Sequence, residues 1–147
     1  MENTDCLLKL KGTVEIFKGN SDNAANKVLE VNNLLVNVGK YKILERFCGI
    51  EPNAFEYIAV GSDATAAAVG QTALLSELAR VISTVVRTGT SLAITSVFLA
   101  GTGTGTWNET GIFNAVAAGS MSNRAALTIP IVKLIGDDYT VKWTLTI

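Results

Sequence analysis

The stretch 107-WNETGIFNAVAAGSMSNRAALTIPIVKLIGDDYTVKWTLTI-147 decides the fold. Thr, Val and Ile dominate it and alternate with other residues, the composition of half-buried strands. It reads as two or three antiparallel strands forming a terminal sheet, with Gly136-Asp137-Asp138 as a turn. No polar tail follows Ile147, so the last strand is expected to be paired to its end. Pro130 cannot donate to a ladder, so segment 119–134 is expected to lie at an edge or to bulge there.

Working outward from this sheet, 91-SLAITSVFLA-100 and 78-LARVISTVVRTG-89 read as a hairpin about Thr88-Gly89-Thr90. Upstream, 55-FEYIAVG-61 alternates as a strand. The small-residue run 62–72, with Ala64, Ala66, Ala67, Ala68 and Val69, is long enough to be an arm, either irregular or one helical turn. The segment 34-LLVNVGKYKILERFC-48 carries apolar residues at three- and four-residue steps, which predicts a helix ended by Gly49. Two further strands are expected over 7–18, bulged at Gly12, and over 28–33. The expectation is a mostly β chain: one antiparallel β-sandwich domain over 1–147, of about seven strands with one covering α-helix. Residues 1–32 form an N-terminal strand and loop region suited to docking on a neighbour.

Composition narrows the function classes. An apolar content of 48% with 17% charged residues argues against disorder. Twelve basic against 13 acidic residues give a net charge of -1, which argues against a nucleic-acid binder. A weakly charged, apolar surface suits a subunit buried in an assembly. The longest uncharged run, 88–108, is too rich in Thr and Gly for a membrane span, and the first residues lack a targeting pattern. Cys6 and Cys48 are expected as reduced thiols, the second in a packed helix.

Histidine is absent, which removes the commonest general base and metal ligand and any Ser-His-Asp or Cys-His pair. Asp137 and Asp138 could meet a hard cation, but a turn accounts for them. Glu77, Glu109 and Asp138 show no spacing that asks for acid–base work. The 101-GTGTGT-106 run is followed by strand material, not by a helix, so it is a linking loop, not a phosphate cradle. Arg80 and Glu109 sit in apolar β context and are expected to form a buried ion pair, with Arg124–Glu77 as the alternative pairing. Trp107, Phe113 and Trp143 are expected in the core, with sugar stacking as the rival use.

The order of these motifs resembles a family of small tail-associated, tail fibre-like structural proteins of tailed bacteriophages. The shared pattern falls on Val60 and Gly61, then on Thr72, Leu74, Glu77 and Arg80. It continues on Glu109, Gly111, Ile112 and Phe113, on Gly119, Met121 and Arg124, and on Val141, Trp143 and Leu145. The likeness spans about residues 33–147, and departs at Ser62 and Thr110. It implies a non-enzymatic virion subunit without cofactor, assembled in the host cytoplasm as a homo-oligomer at a tail fibre, baseplate or collar. Its partners would be itself and other virion proteins, with a capsid decoration protein or a glycan-binding receptor module as alternatives. In this reading Glu77, Arg80, Glu109 and Arg124 hold loop geometry, and the 62–72 arm, the sheet edges and the N-terminal strand meet neighbours.

Overall fold

The computed structural model describes residues 9–147. The expectations for Cys6 and for the start of the first strand therefore lie outside the described residues. In chain order the elements are β1 (Lys11–Lys18), β2 (Lys27–Asn32), β3 (Leu34–Leu35), α1 (Asn37–Phe47) and β4 (Tyr57–Gly61). They continue with β5 (Glu77–Ile82), β6 (Thr84–Thr88), β7 (Ser91–Phe98), β8 (Gly105–Phe113), β9 (Met121–Lys133) and β10 (Tyr139–Thr146). A single 3-10 turn, Ala24–Asn26, precedes β2 and is capped by the Asn23 side chain.

The strands form two antiparallel five-stranded sheets, β2-β1-β10-β7-β6 and β3-β9-β8-β4-β5, packed as a sandwich. The strand count exceeds about seven because β3 has only two residues and the 78–89 segment divides in two. That division corrects the expected hairpin. Ser83, whose N–H donates to Glu56 O, carries the chain from β5 in one sheet to β6 in the other. Only β6 and β7 form the hairpin, about Gly89-Thr90.

The last third does not make one terminal sheet. β8 and β9 pair with each other, but β10 enters the opposite sheet between β1 and β7. It is laddered from Tyr139 to Thr146, so the expected pairing near the C-terminus is present. Gly12 lies in regular register; the irregularity of β1 falls between Ile16 and Phe17. In β9 the register breaks opposite Asn108, leaving Leu127 to Pro130 without partners on β8, where proline costs no ladder bond.

Alternation places Val14, Ile16, Ile94, Val141 and Trp143 from one sheet against Ile58, Val60, Ile112 and Ala125 from the other. Trp107 fills the middle, edge-on to Phe98 at 5.2 Å and Tyr139 at 5.6 Å. A second, smaller core of Val36, Ala59, Leu74, Phe113 and Met121 covers the outer face of the β9-β8-β4 sheet. The 62–76 segment and the start of α1 lie over this face.

α1 is shorter than the apolar periodicity suggests, because Leu34 and Leu35 pair with Arg124 and Asn123 as β3. Gly49 follows its end at φ 78, as a left-handed stop. The expected cover is partial. The helix seats on β9 through Gly39, where an added Cβ would meet Ser122 O at 2.2 Å. Tyr41, Leu44 and Phe47, expected to pack, are 61%, 68% and 93% exposed. Cys48 is likewise exposed and not in a packed helix.

Candidate functional site

The outer face of the second sheet gathers the charged residues singled out in the sequence. Cross-strand register sets them there: Gly111 faces Arg124, Glu109 faces Ala126, and Ala59 faces Arg80. Residues directly opposite share a face, so Arg80, Glu109, Gly111, Phe113 and Arg124 all point away from the main core.

The pairing is the reverse of that expected. Arg124 binds Glu109, with Nε and Nη2 at 3.0 and 2.9 Å from Glu109 Oε2 and both side chains fully buried. Arg80 instead binds Glu77 through two parallel bonds of 2.9 and 2.8 Å. Sequence spacing could not settle this, because the choice depends on which strands are neighbours.

Each pair holds a loop. Glu109 accepts N–H bonds from Leu75 at 3.1 Å and Ser76 at 2.8 Å, so its remaining acceptor capacity goes to backbone. Arg124 Nη1 donates to Thr65 O at 2.8 Å and Gln71 Oε1 at 3.2 Å. Gln71 Oε1 also accepts from Ala68 N, and Gln71 Nε2 donates to Ala66 O. The 62–72 arm is thus irregular but tied down along its length, including by Asn37 N–H to Val69 O at 2.8 Å. Ala64, Ala66, Ala68 and Val69 face solvent above these ties, with Ala67 half-buried. Gly61 makes the close approach possible, since a Cβ there would meet Glu109 Oε1 at 2.4 Å. Gln71 and Gly61 were not legible as parts of this clamp; Gln71 lies one residue before the Thr72 motif.

Arg80 treats the β8–β9 connection in the same way. Its Nη1 donates to the carbonyls of Ala115 and Ala118, each at 2.8 Å, and its guanidinium lies 3.7 Å from the centre of the Phe113 ring. Ala118 is held at φ 51, a left-handed conformation that few non-glycine residues adopt. Asn114 Oδ1 accepts from Ser120 N to close the same loop.

Electrostatics around the arm follow from these contacts. Asp63 has its carboxyl held below the ordinary value by bonds from the Thr65 side chain and N–H, and by the charge of Arg124. At the end of α1, Glu51 is lowered first by the Asn53 N–H and then by Lys42, 3.3 Å away.

Other candidates fall elsewhere. Trp107 and Trp143 are fully buried and Phe113 nearly so; Trp107 Nε1 donates to Gly103 O at 2.7 Å. Trp107 therefore offers no face to a sugar. Asp137 and Asp138 accept from Leu134 N and Ala100 N, which is the work of turn residues. Of the 101–106 run, expected as a linking loop, only 101–104 lie between β7 and β8, since Gly105 and Thr106 already pair with Lys133 and Val132 in β8; Gly101, Gly103 and Gly105 are at positive φ. Among the described residues no group of three or more Asp, Glu or Cys is arranged to hold a metal ion, and no helix is long and apolar enough to cross a membrane. β1 is paired on both sides within its own sheet, so it cannot complete a neighbour's sheet as expected.

Comparisons with protein-family models, with curated proteins and with solved structures find no match for this chain.

Proposed function

We propose that this chain is a structural subunit of a tailed-bacteriophage virion, an oligomeric tail component that acts by protein–protein association. The observation that carries the reading is the apolar row on α1, continued just past its end: Tyr41, Leu44 and Phe47 on the helix and Ile50 after Gly49 stand between 61% and 93% exposed. A chain of low charge that leaves such a row to water is stabilised when a neighbour covers it, each large apolar side chain contributing about 1.5–3 kcal/mol when fully buried. The resemblance seen in the sequence adds the virion context. The residues that carry it, among them Glu77, Arg80, Glu109 and Arg124, serve here to hold two loops on one sheet face. That use suits a scaffold that presents loops to neighbours.

Gold-labelled antibody against the protein, applied to purified virions, tests this. Label at the tail is expected. Label over the capsid would replace the tail role by decoration of the head, and particles without label would refute the reading. A glycan-binding role is disfavoured by the burial of Trp107.

A further inference from the structure

Among the described residues the two sheets present four edges, and three of them are guarded against pairing. β2 carries Lys27 and Glu30 and is out of register with β1 beyond Ile16. β3 is two residues long, and β5 carries Glu77 and Arg80 beside a register shift in β4. Short, charged or irregular edges of this kind discourage added strands. β6 carries a single charge, Arg87, and no register irregularity. Its five residues, Thr84-Val85-Val86-Arg87-Thr88, are all exposed and run in unbroken register with Thr95 to Ser91 of β7.

The free backbone groups of β6 can be assigned. Gly89, at φ 57, and Thr90 make a two-residue turn, so Thr88 and Ser91 are the hydrogen-bonded pair that closes the hairpin. Pairs alternate along an antiparallel ladder, which turns the N–H and C=O of Val85 and Arg87 away from β7.

Laid antiparallel on itself about a two-fold axis at Val86, this strand is self-complementary. Thr84 meets Thr88, Val85 meets Arg87 and Val86 meets Val86 of the second copy. The outward groups of Val85 then exchange both backbone bonds with those of Arg87, and no guanidinium faces another. Val85 shares the face of Ile94 and Val86 the face of Ala93, so both faces gain β-branched contacts. We propose that β6 is a self-association edge, to which a second copy of this chain adds its own β6 centred on Val86. The two β2-β1-β10-β7-β6 sheets become one continuous sheet. This rests on the assembly reading above and names its surface and partner.

Cysteine crosslinking tests the register in the full chain with Cys6→Ser and Cys48→Ser. Val86→Cys would place two thiols across a non-hydrogen-bonded pair, with Cα atoms about 4.5 Å apart, within disulfide reach. Thr84→Cys would place them roughly 13 Å apart. Mild oxidation is expected to give a covalent dimer from Val86→Cys and none from Thr84→Cys; equal yields, or no dimer from either, overturn the proposal. Separately, Val86→Lys in the otherwise unaltered chain sets two ammonium groups opposite each other and is expected to raise the dimer dissociation constant at least about tenfold by light scattering. A wild-type chain that stays monomeric at all concentrations overturns this edge, while virion labelling still stands on its own. A wild type that associates, with Val86→Lys associating equally, also overturns it and leaves association to α1.

Discussion

Replacing Arg124 by Met should be the most costly single change on the outer face. The substitution keeps an unbranched apolar stem but removes a guanidinium that is fully buried and bonded to Glu109, Thr65 O and Gln71. Glu109 would remain buried with only the Leu75 and Ser76 N–H groups to offset its charge. Breaking one side of a buried pair costs about 3–5 kcal/mol, because the stranded charge has lost its solvent and its partner. At about 2–4 °C per kcal/mol for a domain of this size, the melting temperature should fall by roughly 10 °C or more. Chemical denaturation gives the free energy, and hydrogen exchange locates it: amides of 62–76 should exchange faster than those of β10. The double change Glu109→Gln with Arg124→Met should recover part of the loss, since the amide oxygen can still accept from one of the two N–H groups without carrying charge. A loss below about 1 kcal/mol for Arg124→Met, or one that the double change deepens additively, would refute the clamp argument.

Arg80→Ala should cost about 2–4 kcal/mol, since the nearly buried guanidinium meets Glu77, two loop carbonyls and the Phe113 ring together. Arg80→Lys should recover little, because one ammonium cannot reproduce the fork, and thermal melting of the two variants side by side checks it. Gly39→Ala reverses the usual gain from alanine in a helix. The new Cβ meets Ser122 backbone that cannot swing aside, so a loss of about 1–3 kcal/mol is expected by denaturant titration, against a gain if α1 is free to shift. Acid should loosen the arm and the end of α1: Asp63 and Glu51 have lowered values in the fold, so their contribution is present above the ordinary carboxylate range and is lost as pH falls through the lowered ones. Calorimetry below about pH 4 should show a shallower decline for Asp63→Asn than for the wild type, and equal slopes would count against it.

The strands were legible because alternation is a local property. Tyr57–Gly61, Ser91–Phe98 and Tyr139–Thr146 lie close to where two-residue periodicity puts them, and Gly49 ends α1 by its own backbone freedom. Burial of Trp107, Phe113 and Trp143 followed from their apolar bulk. The partners of those strands were not legible. Nothing local in 139–147 distinguishes joining β9 from entering between β1 and β7, and nothing in 78–89 except Ser83 hints that the segment crosses between sheets. The charged residues follow the same division. Their types announced ion pairs, yet register alone decides that Arg124 rather than Arg80 reaches Glu109. For α1, the periodicity marked an apolar side correctly but implied that it would be covered. The close seating of Gly39 on Ser122 fixes the helix by its first turn and leaves Tyr41, Leu44 and Phe47 facing water. By itself the sequence determined a β-rich chain with one helix, an apolar core and a set of paired charges, since these follow from composition and period. Only the tertiary structure decided which strands meet, which charges join and which apolar side chains remain exposed, because each depends on contacts between residues far apart in the chain.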